Sequence, residues 1–283
     1  MLREFFGRKR LRTITHGDLQ RYRTFRLKTP IVVGRNTKGT DKKGKPQERP
    51  RSVATVHREL SIMRRILNVA VANSWIVRKP FQQGEPLIKP GEESPRERII
   101  SREEEQRLLA ACHTEREHLR AILICALDTG MRRGEIFSLE WSDIDFDSGL
   151  ITIRAFNTKT MRERQIGMTE RLRSELMRLS ETQDGVLVFG IKTHAQHSFQ
   201  KAKQEAGLPD VRFHDLRHTH ATRLVGAQMP LAEVGRVLGH TQPSTTFRYV
   251  NINADTARRA ADLLDMFNSA TINQTQRASV QIC

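Results

Sequence analysis

The chemistry-bearing residues of this chain gather in a few short stretches. The densest is Phe213-His214-Asp215-Leu216-Arg217-His218-Thr219-His220. On a helix, His214 and Arg217 lie three apart and share a face. A guanidinium fork matches two equatorial oxygens of a phosphodiester that gains charge during displacement. An imidazole beside it can donate or move a proton near neutral pH. A second arginine stands in Thr129-Gly130-Met131-Arg132-Arg133-Gly134-Glu135, where Glu135 is placed to orient Arg132. Taken alone, that pair also fits an ordinary ion pair at a helix start. Lys159, in the turn Asn157-Thr158-Lys159-Thr160, is a point charge that could be pushed toward a leaving oxygen, or simply a solvated turn lysine. Tyr249 closes the set, one of only two tyrosines, in Ser244-Thr245-Thr246-Phe247-Arg248-Tyr249 just behind Gly239-His240. A tyrosine can serve as a nucleophile, though a single one is more often a packing residue with a bonded hydroxyl.

His214-Asp215-Leu216-Arg217-His218 also imitates a helical zinc motif with Asp in place of Glu. The shorter acid displaces the general base, no third ligand is evident, and an arginine between the histidines repels a dication. Zinc is therefore not expected.

Several elements must position these groups. Thr15 and Asp18 precede a helix carrying Leu19, Tyr22 and Phe25. Lys28 to Arg51 is rich in Gly, Lys, Pro and Thr and reads as a mobile basic loop, either a solvated linker or a strand lying along phosphates. Ser52 is expected to cap a helix whose stripe is Val56, Leu60, Met63, Leu67 and Ala70. Residues 84–97, with Gly84, Pro86, Pro90 and Gly91, read as a linker. Beyond it, Ser101 and Glu104 form a capping box, and His118 to Thr129 is an apolar helix running into Gly130. Residues 149–153 and 164–166 read as a β-hairpin. From Glu170 onward the pattern is helical almost throughout.

Composition narrows the class. The chain has 283 residues, 48 Lys+Arg against 32 Asp+Glu, and a net charge of +16. Its pI is near 10.5 and its mean hydropathy is −0.54. A field of that sign attracts polyanions, nucleic acid first among them. No apolar run is long enough to span a bilayer, no secretory leader is evident at Met1, and three unpaired cysteines suit a reducing cytoplasm.

Together these residues resemble the tyrosine recombinases, the phage-integrase family. The order is Arg132, Lys159, His214-x-x-Arg217, Leu238-Gly239-His240-Thr241 and Thr246-Phe247-Arg248-Tyr249. The resemblance runs from about Ser52 to Phe267 and is most secure from Ile99 onward. It implies a mainly α fold: a small helical core-binding domain over residues 1–83, with its basic loop at 28–51, and a mainly helical catalytic domain over 98–268 with a small antiparallel sheet. Residues 269–283 are expected to be a disordered tail. The resemblance further implies that Tyr249 attacks the scissile phosphate to give a 3′-phosphotyrosine and that Arg132 and Arg217 stabilise the transition state. Lys159 would protonate the leaving 5′-oxygen, His214 would assist proton transfer at the tyrosine, and His240 would bond a non-bridging oxygen. Glu135 supports Arg132. No metal or nucleotide cofactor is implied.

The implied partner is double-stranded DNA, two sites being held by a homotetramer through a Holliday junction. The amphipathic segment with Ala254, Ala257, Ala260, Leu263, Leu264 and Phe267 would pack on a neighbouring protomer. Accessory DNA-bending proteins, no membrane, and a cytoplasmic site on the bacterial nucleoid complete the picture. The family's core-binding domain usually begins with a helix ahead of Phe5-Phe6-Gly7, so this one is expected to be N-terminally truncated, without an arm-binding domain. A type IB topoisomerase-like enzyme and a catalytically impaired DNA-binding prophage relic are the alternatives.

Overall fold

The computed structural model describes residues 1–33, 47–93, 96–155, 162–182, 185–190, 192–247 and 249. It is mainly helical, with two small antiparallel sheets. The chain divides into two compact units, Met1–Arg96 and Glu97–Cys283.

In the first unit, α1 (Leu2–Phe6) and α2 (His16–Lys28) precede a two-stranded ribbon of β1 (Ile31–Val33) and β2 (Gln47–Arg49), followed by α3 (Val53–Ala72). Thr15 and Asp18 cap α2 reciprocally, and the Ser52 hydroxyl accepts from the Thr55 amide at the start of α3. The stripe Val56, Leu60, Met63, Leu67 and Ala70 is buried against Leu19 and Tyr22 of α2. Phe25, expected inward, is instead exposed. Two successive steps of three residues carry the stripe off the buried face, and Arg26 takes the inward place. Its guanidinium grips Glu59 of α3 through two bonds of 2.7 and 2.6 Å, and the Tyr22 hydroxyl donates to the same carboxylate.

Two expectations need correction here. The basic loop expected over 28–51 has ordered ends. Lys28 closes α2, and Ile31–Val33 pairs with Gln47–Arg49 in antiparallel register, because backbone groups can form a ladder whatever the side chains. The stretch 84–97 is not a free linker throughout. Leu87 lies in the first unit's core, Glu92 pairs with Arg23, and Glu93 meets His57 Nδ1 at 2.7 Å.

The second unit is built around α5 (Glu117–Thr129), which is buried along most of its length from Leu119 to Leu127. It is preceded by α4 (Arg102–Ala110), whose capping box is made by Ser101 and Glu104. After α5 come α6 (Arg133–Phe137), β3 (Ile144–Asp145), β4 (Leu150–Ile153) and β5 (Arg164–Gly167). The three strands form one antiparallel sheet in that order, with Ile151 opposite Ile166 and Ile153 opposite Arg164. The sequence reading contained β4 and β5 but not the two-residue β3.

Five helices follow: α7 (Glu170–Ser180), α8 (Lys192–Glu205), α9 (Phe213–Gly226), α10 (Leu231–Leu238) and α11 (Pro243–Phe247). Packing of α9, α7 and α8 on α5 makes the main core, which includes Leu123, Ile136, Ile151, Leu172, Phe199 and Leu216. Burying side chains of this size contributes roughly 1.5–3 kcal/mol each. No helix among the described residues is long and apolar enough to cross a membrane. Lys159, the segment Ala254–Phe267 and residues 269–283 lie outside the described residues.

Candidate active site

Two helix ends create the site. The α5 helix stops at Gly130, which adopts a left-handed φ of +61°. A Cβ added there would stand 2.5 Å from His220 Cδ2 and 2.9 Å from Leu238 Cδ2. Glycine is thus required by conformation and by space alike. The α10 helix stops the same way at Gly239, with φ +67°, and the Arg164 guanidinium packs where a Cβ would be.

Helix C-termini leave carbonyl oxygens without intrahelical donors and carry partial negative charge. Both ends hold arginines here. Arg217, buried on α9, donates through Nη1 to Gly130 O and through Nη2 to Leu238 O, each at 2.6 Å. Arg132, extended as the N-cap residue of α6, donates through Nη2 to Gly239 O at 3.1 Å. The acceptors at 238 and 239 are consecutive carbonyls, so the two guanidiniums are brought to one spot from elements 85 positions apart in sequence (132 to 217).

Glu135 locks the second arginine. It is 2% exposed. It accepts from the Arg132 backbone amide at 2.8 Å and from Arg132 Nη1 at 2.9 Å. Arg164 of β5 donates to the same carboxylate through Nη2 at 2.7 Å and also reaches the Val237 carbonyl at 2.9 Å. Burial alone would raise the pKa of Glu135, but Arg164 and Arg132 outweigh it and hold the carboxyl below its ordinary value. Burial, then the like charge of Arg132, pushes Arg217 down to about 10, so it still carries its proton at neutral pH. Three guanidiniums therefore face one carboxylate, and these four side chains retain a net positive charge suited to an anion.

The remaining groups come from α9 and from the chain around α11. His214 is the exposed member of the set. Desolvation by the protein around it, then its neighbours His218 and Arg217, pushes its pKa down to about 4, so its ring is neutral at pH 7. The His214 and His218 rings meet edge to face, with centroids 4.7 Å apart. His240, directly after the left-handed Gly239, has its Nδ1 2.8 Å from the hydroxyl of Thr246, which is buried on α11. Tyr249 is half-buried against Ala221, Val234 and Leu238. Its ring lies nearly parallel to that of His240, at 11° and 6.3 Å between centroids. Its hydroxyl lies 3.1 Å from His218 Nδ1.

Arg132, Glu135, Arg217, His214, His240 and Tyr249 thus all gather around the C-terminus of α10 and the facing side of α9. Lys159 falls in the connection between β4 and β5, outside the described residues. Three residues with a place here were missed from the sequence. Its sequence context marks Arg164 only as part of a strand. Thr246 gave no signal. His218 carries one, its i+4 spacing from His214, but that spacing by itself suggests only a zinc ligand. Among the described residues no three His, Cys, Asp or Glu side chains gather as a metal site.

Known proteins place this geometry in context. The integrase of Salmonella phage P22 is 28% identical over 222 residues, covering 72% of this chain and 55% of that protein. The shufflon-specific DNA recombinase of Escherichia coli is 27% identical over 201 residues, covering 71% of this chain and 51% of that protein. The chain therefore spans little more than half the length of these relatives. Among solved structures, the Tn1549 transposon integrase in complex with circular intermediate DNA superposes with a TM-score of 0.70 at 16% identity, over 92% of this chain and 90% of that one. That likeness concerns the fold. The family model of the phage integrase family matches residues 98–256, more than half of the chain and all of the site described above, so the chain belongs to the phage integrase family, the tyrosine recombinases.

Proposed function

We propose that this chain is a site-specific DNA recombinase, an integrase that cleaves and rejoins double-stranded DNA through a 3′-phosphotyrosine. The observation that carries this reading is the pair of guanidiniums held on the consecutive carbonyls of Leu238 and Gly239, at the end of α10 against which Tyr249 packs. A phosphodiester seated there meets donors already held in place. Tyr249 Oη attacks the scissile phosphorus, the P–O5′ bond breaks, and the 5′-oxygen leaves with a proton from Lys159. Arg132 and Arg217 stabilise the equatorial oxygens, and His240 bonds one of them. Each preorganised donor of this kind contributes about 3–4 kcal/mol to the barrier reduction. His214 lies beside these groups and acts in proton transfer. Glu135 keeps Arg132 in place.

The 5′-hydroxyl of a second duplex then attacks the phosphotyrosine and releases Tyr249. The ester conserves the bond energy, so the cycle consumes no nucleotide. Two such rounds pass through a Holliday junction, which calls for four protomers on two DNA sites, with the segment Ala254–Phe267 joining neighbours. Residues 1–83 form the core-binding domain, residues 98–268 the catalytic domain, and DNA-bending proteins assist assembly. The net charge of +16 favours association with the bacterial nucleoid in the cytoplasm. The chain's likeness to integrases and recombinases over about 70% of its length supports the same reading.

The test is incubation with nicked duplexes drawn from DNA flanking its own gene, read as an SDS-resistant protein–DNA adduct. Wild type forms the adduct, and Tyr249→Phe binds the same DNA without forming it. DNA binding with no adduct from wild type would favour a catalytically impaired relic. Relaxation of supercoils without strand exchange would favour a topoisomerase-like enzyme.

A further inference from the structure

The resemblance gives proton transfer at Tyr249 to His214, yet the tyrosine hydroxyl itself meets a different histidine. A phenol near its ordinary pKa of about 10 is a poor nucleophile at neutral pH unless a base takes its proton as the bond to phosphorus forms. The neighbours of the hydroxyl decide which base is available. His214, the histidine of the His-x-x-Arg motif, lies on the exposed edge of α9, one turn before His218. His218 is buried, and its Nδ1 stands 3.1 Å from Tyr249 Oη. That is within the range a general base needs. The geometry therefore points to His218, which the motif does not include, as the residue that accepts the proton of the Tyr249 hydroxyl.

This inference rests on the recombinase reading and adds one catalytic residue to it. In the tautomer with its proton on Nε2, His218 Nδ1 carries a lone pair and the Tyr249 hydroxyl donates to it. As Oη bonds to phosphorus and the P–O5′ bond breaks, the proton passes from Oη to Nδ1 and the ring becomes an imidazolium. On rejoining, the incoming 5′-hydroxyl bonds phosphorus and gives its proton back to the group that protonated the leaving 5′-oxygen, the Oη–P bond breaks, and Nδ1 returns its proton to Oη. No external oxidant, metal or cofactor enters the balance. The surroundings suit a base that cycles. His214 packs edge-on against the ring and is neutral at pH 7, so it adds no standing positive charge next to the imidazolium. The Tyr249 ring also lies nearly parallel to that of His240.

The test uses the full chain and a nicked duplex selected for binding from a randomised library. It measures the rate of SDS-resistant adduct formation in wild type, His218→Gln and His214→Gln. Glutamine can still accept a hydrogen bond from the tyrosine hydroxyl but cannot take its proton. His218→Gln is expected to bind the duplex within about threefold of wild type and to form adduct about 100-fold more slowly, the lower end of general-base contributions. A merely structural role is separated by placing trifluorotyrosine, whose phenol ionises without help, at position 249. That change is expected to restore most of the His218→Gln rate and little of any His214→Gln deficit. Adduct formation by His218→Gln within about twofold of wild type overturns the inference, as does recovery by trifluorotyrosine in His214→Gln but not in His218→Gln. Wild-type chain that binds the duplex and forms no adduct at all overturns the recombinase reading, and this inference with it.

Discussion

Replacing Glu135 by glutamine keeps the size of the side chain and removes its charge. In the native unit the carboxylate is 2% exposed. It accepts from Arg132 N at 2.8 Å, Arg132 Nη1 at 2.9 Å and Arg164 Nη2 at 2.7 Å, with a longer contact of 3.3 Å to Arg164 Nη1. An amide offers one oxygen to these donors and turns its own N–H groups toward a guanidinium. Removing one partner of a fully buried pair costs about 3–5 kcal/mol. Arg132 and Arg164 keep 28% and 10% of their side-chain surface in contact with solvent. The expected loss for Glu135→Gln is therefore smaller, about 2–4 kcal/mol. That is a large part of the 5–15 kcal/mol typical of a folded domain, yet it leaves the unit folded at room temperature. Urea unfolding followed by circular dichroism measures it as a fall in midpoint. The pH dependence gives a second constraint. The folded-state pKa of Glu135 is depressed, so its contribution is fully present above the unfolded value near 4.5 and is lost as pH falls through the folded value. The gap between wild type and Glu135→Gln should be full at pH 7 and shrink on acidification below about pH 4.5. Unfolding free energies that agree within about 0.5 kcal/mol at pH 7, or a gap that widens in acid, would refute the assignment of Glu135 as the anchor of both arginines.

The other perturbations address space and reactivity. Gly130→Ala places a methyl group at φ +61° and within 2.9 Å of both His220 and Leu238, for an expected loss of roughly 2–4 kcal/mol from strain and overpacking. Gly149→Ala is the control, because its φ of +70° is similar but nothing lies within 4 Å of the new methyl. It should cost only about 1 kcal/mol, and equal losses in the two variants would remove the packing argument. Burial pushes the Cys125 thiol up to about 12 and the Cys112 thiol up to about 11. In a Cys283→Ser background a thiol reagent at pH 8 should label neither cysteine until the chain unfolds. Rapid labelling of either one in the native protein would contradict its burial.

Helix interiors and their starts were legible because the signals are local. Ser52 with Val56, Leu60, Met63, Leu67 and Ala70, and Ser101 with Glu104, carry their own start signals and, in the first case, an apolar stripe. Residues that face inward for a tertiary reason were not legible. Arg26 occupies a core position because Glu59 arrives from another helix, and Leu87 folds back from a Gly- and Pro-rich stretch whose composition reads as a spacer. The β1–β2 ribbon was hidden for another reason, since its ladder needs only backbone groups and Gln47-Glu48-Arg49 has no strand-like composition. At the site, residue types and order could indicate which side chains belong together but not their contacts. His214 and His218 sit one helical turn apart on α9. Which of them meets Tyr249 depends on how the chain after α11 crosses that helix, and no spacing in the sequence encodes the crossing.

The arrangement of the arginines explains why the site can be ready before any phosphate arrives. A guanidinium on a long side chain is costly to order, because rotamer freedom is lost and like charges repel. Here the cost is offset by acceptors that the fold produces in any case, the unsatisfied carbonyls where α5 and α10 end. Those ends exist because Gly130 and Gly239 permit a left-handed cap at which side chains of other elements approach closely. Two glycines therefore set the places of two arginines that neither glycine neighbours in sequence on both counts: Gly130 anchors Arg217 across 87 residues and Gly239 anchors Arg132 across 107. The carbonyl dipoles satisfy only part of each fork. They also neutralise less charge than a second carboxylate would, so the positive surplus survives and remains directed at the position a phosphate would take. Holding both arginines with carboxylates would have weakened the attraction of the site for an anion. Backbone acceptors for both guanidiniums, with a single carboxylate, are the arrangement expected of a site whose stability is limited by the charge it must keep.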